Sequence, residues 1–215
     1  YEDLMRFHPE HEDVPSALYN SGFLAIGLER FEDAAKAYEQ YHAEYGDREE
    51  SPLLLFRAAE LWEASGDTRQ AQRVYEEWLD KYGETDADRW VETQFKLAGF
   101  ARDAGKDRKA DQRIASIVDS YEGLREELVK NPGAGLKICA SIAFEPLVAQ
   151  YEEYAAFTIP ETSDPEVLGA AIDRKTEWNS EVAGAFDDFV VQYPDFEWQT
   201  AALYYKALSY QNHGL

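Results

Sequence analysis

The feature that most constrains the fold of this chain is a set of small and aromatic residues that returns at a fixed interval. Ala34 and Tyr38 are followed 37 positions later by Ala71 and Tyr75, and a shift of 39 positions then carries Ala71 onto Ala110. A period of about 20 to 50 residues is typical of arrays built from one small supersecondary unit, because a single unit cannot bury its apolar face without a neighbour. We therefore expect a stack of similar units.

The residues inside each unit repeat with the period of an α-helix. Ala34, Tyr38 and Tyr41 are spaced as i, i+4 and i+7, which places them on one face of a helix. No segment alternates polar and apolar residues over more than a few positions, so a β-sheet is not expected. Gly66 and Gly105 mark turns between helices, since glycine readily adopts the left-handed conformation that ends a helix. The pattern predicts an all-α fold of helical hairpins.

The repeat register divides the chain into repeated and irregular parts. The predicted units are a partial one at 1–9, complete ones at 15–46, 52–83 and 91–121, and a truncated one at 177–215. The first 121 residues are thus repetitive, and an irregular helical insertion occupies 122–176. We expect the protein to continue beyond both ends, because half a hairpin leaves its apolar face uncovered.

The insertion has its own start and stop signals. Asn131-Pro132-Gly133 predicts the end of one helix, and the apolar helix that follows contains Pro146, which is expected to interrupt and bend it. Asp164 is typical of a helix N-cap, and Pro165 is typical of a first helical position. No strong breaker occurs from there to Gln192, which predicts one helix of roughly 28 residues, about 42 Å long.

The charge of the chain limits its partners. Its 43 acidic and 21 basic residues give a formal net charge of −22. Such a surface repels the phosphates of nucleic acids and of anionic lipids, so neither is an expected partner. The sequence also contains no run of about eighteen apolar residues, so we expect no membrane insertion of this segment.

Motifs for catalysis or for a bound cofactor are missing from the sequence. Cys139, the single cysteine, lies in the apolar run LKICASIAF and is predicted to be a buried structural residue. His8, His11 and Glu12 could hold a metal if they lay on a helix, but Pro9 stands between the histidines, so an exposed acidic loop is predicted. Glycine-rich phosphate loops and nucleophile motifs are absent. We expect no enzyme, no metal and no cofactor.

Taken together, the spacing and the residue types resemble the tetratricopeptide repeat family. The residues of the first unit that match this family's pattern are Leu18, Ser21-Gly22, Ala25, Ala34, Tyr38, Tyr41 and Gly46. The period of 37 residues, with Tyr-Gly or Tyr-Pro closing the second helix, is similar to a bacterial envelope branch of the family. That branch includes an outer-membrane assembly lipoprotein and Tol–Pal accessory proteins, and similar arrays occur in gliding-motility proteins.

The resemblance implies both an architecture and a function. The fold would be a right-handed superhelix of antiparallel helical hairpins. It would act as a non-enzymatic scaffold that binds a segment of a protein or peptide partner in a concave groove, rather than a small-molecule substrate. The envelope branch implies a periplasmic or cell-envelope location.

The resemblance also implies where the partner would bind. In this family the groove is lined by positions of the first helices, which on this chain are Tyr19, Asn20, Phe23, Phe56, Arg57, Phe95 and Lys96.

Two chemistries are open for these positions. Asn20, Arg57 and Lys96 fall in one column across three units, where they could hold a carboxylate. The rings at Tyr19, Phe56 and Phe95 recur with Tyr204, and they could form an aromatic surface for an apolar segment. The alternative is that these rings only pack between neighbouring helices.

A second functional hypothesis is a structural spacer or assembly component of an envelope or gliding-motility machine. Its contacts would be made by the convex face and by the elaborated region 122–192. On this hypothesis Tyr151, Tyr154 and Trp178 would form an exposed aromatic patch, and burial of these rings would count against it.

Overall fold

A computed structural model describes residues 11–214, and every regular element in this range is an α-helix. The helices are α1 (Val14–Gly27), α2 (Phe31–Glu44), α3 (Ser51–Ser65), α4 (Thr68–Tyr82), α5 (Ala87–Asp103), α6 (Asp107–Lys130), α7 (Ala134–Ala156), α8 (Pro165–Gln192) and α9 (Phe196–His213). The prediction of an all-α fold is confirmed for this part of the chain. The partial unit predicted at 1–9 lies outside the described residues.

Local sequence signals determine where several helices begin. Asp164 caps α8, since its carboxylate accepts hydrogen bonds from the backbone N–H groups of Glu166 and Val167 at the helix start. Asp67 accepts from Gln70 N at 3.0 Å at the start of α4. The 28-residue length of α8, from Pro165 to Gln192, confirms the long helix that the sequence predicts.

The turns inside the first three hairpins share one backbone feature. Gly66 ends α3 with a φ of 86°, and Gly105 follows α5 with a φ of 67°. Both confirm the predicted glycine turns. The corresponding residue of the first hairpin is Glu29, which has a φ of 57° although it carries a side chain. This position therefore requires the left-handed conformation in all three hairpins.

Contacts divide the chain into two compact units, and the division falls within α5 and α6. The N-terminal unit holds the described residues up to Asp86 together with Lys96–Ala110, and the C-terminal unit holds Ala87–Phe95 and the described residues from Asp111 on.

The N-terminal unit is a succession of helices in which α1 packs on α2, α2 on α3, and α3 on α4. Its core is aromatic, with Tyr41, Tyr75 and Trp78 fully buried. The small residues predicted to allow close helix approach are also buried, as for Ala34 and Ala71. Burial of a large apolar side chain in this core contributes roughly 1.5–3 kcal/mol to the free energy of unfolding.

In the C-terminal unit, α7, α8 and α9 pack on one another around the ring of Phe144. That ring lies 5.3 Å from Phe189, 5.2 Å from Trp198 and 5.6 Å from Tyr205, measured between centroids. The helix α7 continues through Pro146 rather than ending there. Packing of apolar side chains around Phe144 holds the segment helical despite the donor that the proline lacks.

The start of α7 depends on Asp88 of α5. The Asp88 carboxylate accepts a hydrogen bond from Gly135 N at 2.7 Å, and it fills the space that a Cβ would need at Gly133. The predicted helix end at Asn131-Pro132-Gly133 is confirmed, because α6 ends at Lys130. The boundary predicted between the unit 91–121 and the insertion 122–176 lies inside α6, which continues through Tyr121. Tyr121 and Leu128 continue one buried face of this helix at helical spacing.

Candidate functional site

Two aromatic side chains on α1 are presented to solvent one turn apart. Tyr19 is 44% exposed and Phe23 is 62% exposed. The Tyr19 ring packs against the buried ring of Tyr38 of α2, with 6.1 Å between the ring centroids. Burial raises the pKa of Tyr38, and the neighbouring Tyr19 raises it further. Asn20 stands beside them, half-buried. The sequence predicts all three α1 residues as partner-binding, and the structure brings them together.

Phe56 occupies the equivalent position on α3 but is only 3% exposed. Its ring packs edge-on against Tyr75 at 5.7 Å and Trp78 at 5.5 Å, both on α4. Its contribution here is to packing within the N-terminal unit. Phe95 is exposed but belongs to the C-terminal unit. Of the predicted aromatic groove, the described part of the N-terminal unit therefore exposes Tyr19 and Phe23 rather than one ring for each hairpin.

The two cations of the predicted carboxylate column already hold carboxylates of their own unit. Arg57 donates to Glu60 at 2.7 Å, and Lys96 Nζ donates to Glu63 Oε2 at 2.8 Å. The Lys96 ammonium also lies 5.9 Å from the centroid of the Tyr75 ring. Surface pairs contribute about 0–1 kcal/mol each even when they are partly covered, as Lys96 is, so a partner carboxylate would exchange one weak pair for another.

Two buried polar residues, His42 and Ser51, form a cluster with the more exposed side chains of Glu77, Lys81 and Tyr82. This cluster has no signal in the sequence. The Nδ1 of His42 lies 2.8 Å from Ser51 Oγ, and Lys81 Nζ lies 3.0 Å from His42 Nε2. Lys81 Nζ also donates to Glu77 at 2.8 Å. Burial lowers the pKa of His42, and the charge of Lys81 lowers it further. The imidazole is therefore neutral at neutral pH, and its Nε2 accepts a hydrogen bond from the Lys81 ammonium.

The same cluster contains a serine, a histidine and an acid, which are the residue types of a catalytic triad. Ser51 is fully buried at the start of α3, so its hydroxyl cannot meet a substrate in this structure. Glu77 lies 3.9 Å from the nitrogen of His42 that faces away from the serine. The arrangement connects α2, α3 and α4 through hydrogen bonds between side chains.

The candidate metal ligands and the single thiol are dispersed or buried among residues 11–214. No group of three or more histidine, cysteine, aspartate or glutamate side chains in this range could hold a metal ion. His11 is exposed, with its Nδ1 accepting from Asp13 N at 3.2 Å, and His8 lies outside the described residues. Cys139 is buried as predicted, and burial raises its thiol pKa to about 12.

The aromatic patch required by the spacer hypothesis is not exposed. Tyr154 is fully buried and donates its hydroxyl to the carbonyl of Ser209 at 3.2 Å. Trp178 and Tyr151 are half-buried, and the Tyr151 hydroxyl accepts from Asn212 at 2.7 Å. This burial counts against contacts through these three rings.

Comparison with known proteins does not assign this chain to a family. Neither the models of known protein families nor the curated protein sequences contain a match to this chain. Within residues 11–214, none of the helices combines the length and apolarity that crossing a lipid bilayer requires.

Proposed function

We propose that this protein is a non-enzymatic scaffold that binds an extended apolar segment of a protein or peptide partner on α1. The observation that carries the proposal is the pair of exposed rings, Tyr19 and Phe23, one turn apart on a helix whose opposite side, with Leu18 and Gly22, is buried. Exposed aromatic side chains fixed on a rigid element are typical centres of protein recognition.

The architecture proposed with it is a right-handed superhelix of tetratricopeptide-like hairpins. Recurrence of Leu18, Gly22 and Tyr38 as Leu55, Ala59 and Tyr75, all buried, supports a stack of like units. A stack of this kind presents its binding face without refolding, so the partner bears most of the ordering entropy.

The character of the partner follows from what surrounds the two rings. Arg57 and Lys96 are paired with Glu60 and Glu63, so no unmatched cation of this column is offered to an acidic group. A net charge of −22 attracts basic rather than acidic polypeptides at long range. We therefore propose a partner segment with apolar side chains for the α1 face and neutral or basic flanks.

The test is a displayed library of random linear peptides selected on the full chain. Binders are then titrated by calorimetry against wild type, Tyr19→Ala/Phe23→Asp and, as a matched control, Phe196→Asp, another exposed aromatic change. We expect the α1 variant to lose at least about tenfold in affinity, since central aromatic contacts contribute more than about 1 kcal/mol. We expect the control to retain it.

A second variant separates the two chemistries. Arg57→Glu/Lys96→Glu removes the cationic column but leaves both α1 rings. Affinity retained in this variant and lost in the α1 variant supports the apolar surface. The opposite result would transfer the site to the carboxylate column, and equal affinity in all variants would move it to another face.

A further inference from the structure

One face of α9 is apolar and uncovered within the described part of the C-terminal unit. Leu203 is 53% exposed, Tyr204 is 60% exposed and Tyr210 is 54% exposed, and Ala207 is exposed between them. Their spacing of i, i+1, i+4 and i+7 puts them on one side of the helix. The opposite side, which includes Ala202 and Ser209, is buried in the unit.

The same four-residue pattern occurs on two other helices, where seven of the eight residues are buried. It consists of a leucine, an aromatic residue, a small residue three positions further on, and an apolar residue three positions after that. On α3 these positions are Leu55, Phe56, Ala59 and Trp62, and none of them is more than 5% exposed. On α1 they are Leu18, Tyr19, Gly22 and Ala25, and only Tyr19 reaches the surface.

In both of those cases the next helix covers the small residue or its aromatic neighbour with a tyrosine. The Tyr38 ring of α2 fills the space beside Gly22, and the Tyr75 ring of α4 packs on Phe56 at 5.7 Å. Each tyrosine stands four positions after an alanine, at Ala34 and at Ala71. The covering helix therefore carries Ala-x3-Tyr on the face that meets the pattern.

We propose that Leu203, Tyr204, Ala207 and Tyr210 form a docking surface for an amphipathic helix that carries Ala-x3-Tyr. The helix lies antiparallel to α9, with its tyrosine ring on Ala207 beside Tyr204. Lys206, the nearest cation in sequence, binds Asp187 of α8 at 2.6 Å and leaves this face apolar. The assignment does not depend on the partner site proposed on α1.

The chain itself supplies the probe. Residues 67–83, which contain α4 and its Asp67 cap, are appended to the full chain directly after Gly214, in place of Leu215. Gly66 and Gly214 are 148 positions apart, as are Leu55 and Leu203, so the copy keeps the register of the hairpin. We expect the thermal midpoint to rise by about 5 °C. We also expect hydrogen exchange of the amides at 203–210 to slow at least about tenfold.

Two matched controls locate the contact. Tyr75→Asp made only in the appended copy removes the covering ring. Leu203→Asp in the extended chain disrupts the apolar surface of α9 that the appended helix contacts. Each should abolish both gains. An extended chain with unchanged midpoint and exchange would overturn the proposal, as would equal gains with the altered copy. An unextended chain that sediments as a dimer, dissociated by Leu203→Asp, would assign the surface to a second copy and also overturn it.

Discussion

The ring of Tyr38 on α2 lies in the space that a side chain at Gly22 of α1 would need. A Cβ on Gly22 would lie 2.7 Å from Tyr38 Cδ1 and 2.9 Å from Cζ, both far below van der Waals contact. The close approach of α1 and α2 therefore depends on the absence of a methyl group at this position.

Gly22→Ala is expected to destabilise the protein by about 1–3 kcal/mol, because overpacking forces the Tyr38 ring or the helix to move. Gly99→Ala is the matched control, since Gly99 also lies inside a helix and a Cβ there would meet no atom within 4 Å. The control should stabilise by about 0.5–1 kcal/mol through helix propensity. Urea unfolding measures both, and equal effects of the two changes would contradict the packing argument.

Glu29→Gly is expected to stabilise the protein by about 1 kcal/mol. Glu29 has a φ of 57°, a conformation that is unfavourable for a residue with a side chain. Glycine occupies the corresponding positions in the next two hairpins, at Gly66 and Gly105. The reciprocal change, Gly66→Ala, should destabilise by about 1 kcal/mol. A shift of the urea midpoint in the same direction for both variants would rule out this explanation.

Stability is expected to decrease with acidification through His42. Burial and Lys81 lower the pKa of His42 below 6.5, so the unfolded chain binds this proton more readily than the folded chain does. The contribution is complete above pH 6.5 and is lost as the pH falls from there through the lowered pKa of the folded protein.

The free energy of unfolding, measured between about pH 7.5 and about pH 5, should fall less in His42→Gln than in wild type. Lys81→Met removes the neighbouring charge, so the imidazole signal of His42 should titrate at higher pH in NMR spectra. An unshifted titration in that variant would show that Lys81 does not act on the ring.

Cys139 is expected to be unreactive while the protein is folded. Burial raises its thiol pKa to about 12, which leaves almost no thiolate near neutral pH. Modification by a chromogenic disulfide reagent at about pH 8 should be at least about 100-fold slower in the native protein than in urea. Similar rates in the two states would mean that the region around α7 opens readily.

The repeat pattern identifies equivalent positions in different units but does not predict which of them are buried. Tyr19 and Phe56 occupy one position of the pattern, and sequence reasoning treats them alike. Tyr19 is 44% exposed, whereas Phe56 is only 3% exposed and packs against Tyr75 and Trp78. The difference arises because burial depends on every element that stacks around a residue, and repeat spacing describes only the residue's own helix.

The helices, the start of α8 and the glycine turns are features that the amino-acid sequence by itself determines. The period of the apolar residues predicts the helices, Asp164 and Pro165 predict the start of α8, and the glycine turns predict the left-handed φ values at 66 and 105. Each of these depends on interactions within a few residues, so the amino-acid sequence alone is sufficient.

Tertiary packing decided the remainder. It kept α7 helical through Pro146, buried Tyr154 and brought His42, Ser51 and Lys81 together from three helices. It also left Leu203 and Tyr204 open where the same residue types are closed on α3. These outcomes depend on contacts between residues that are distant in sequence, and a local pattern carries no information about which distant surfaces meet.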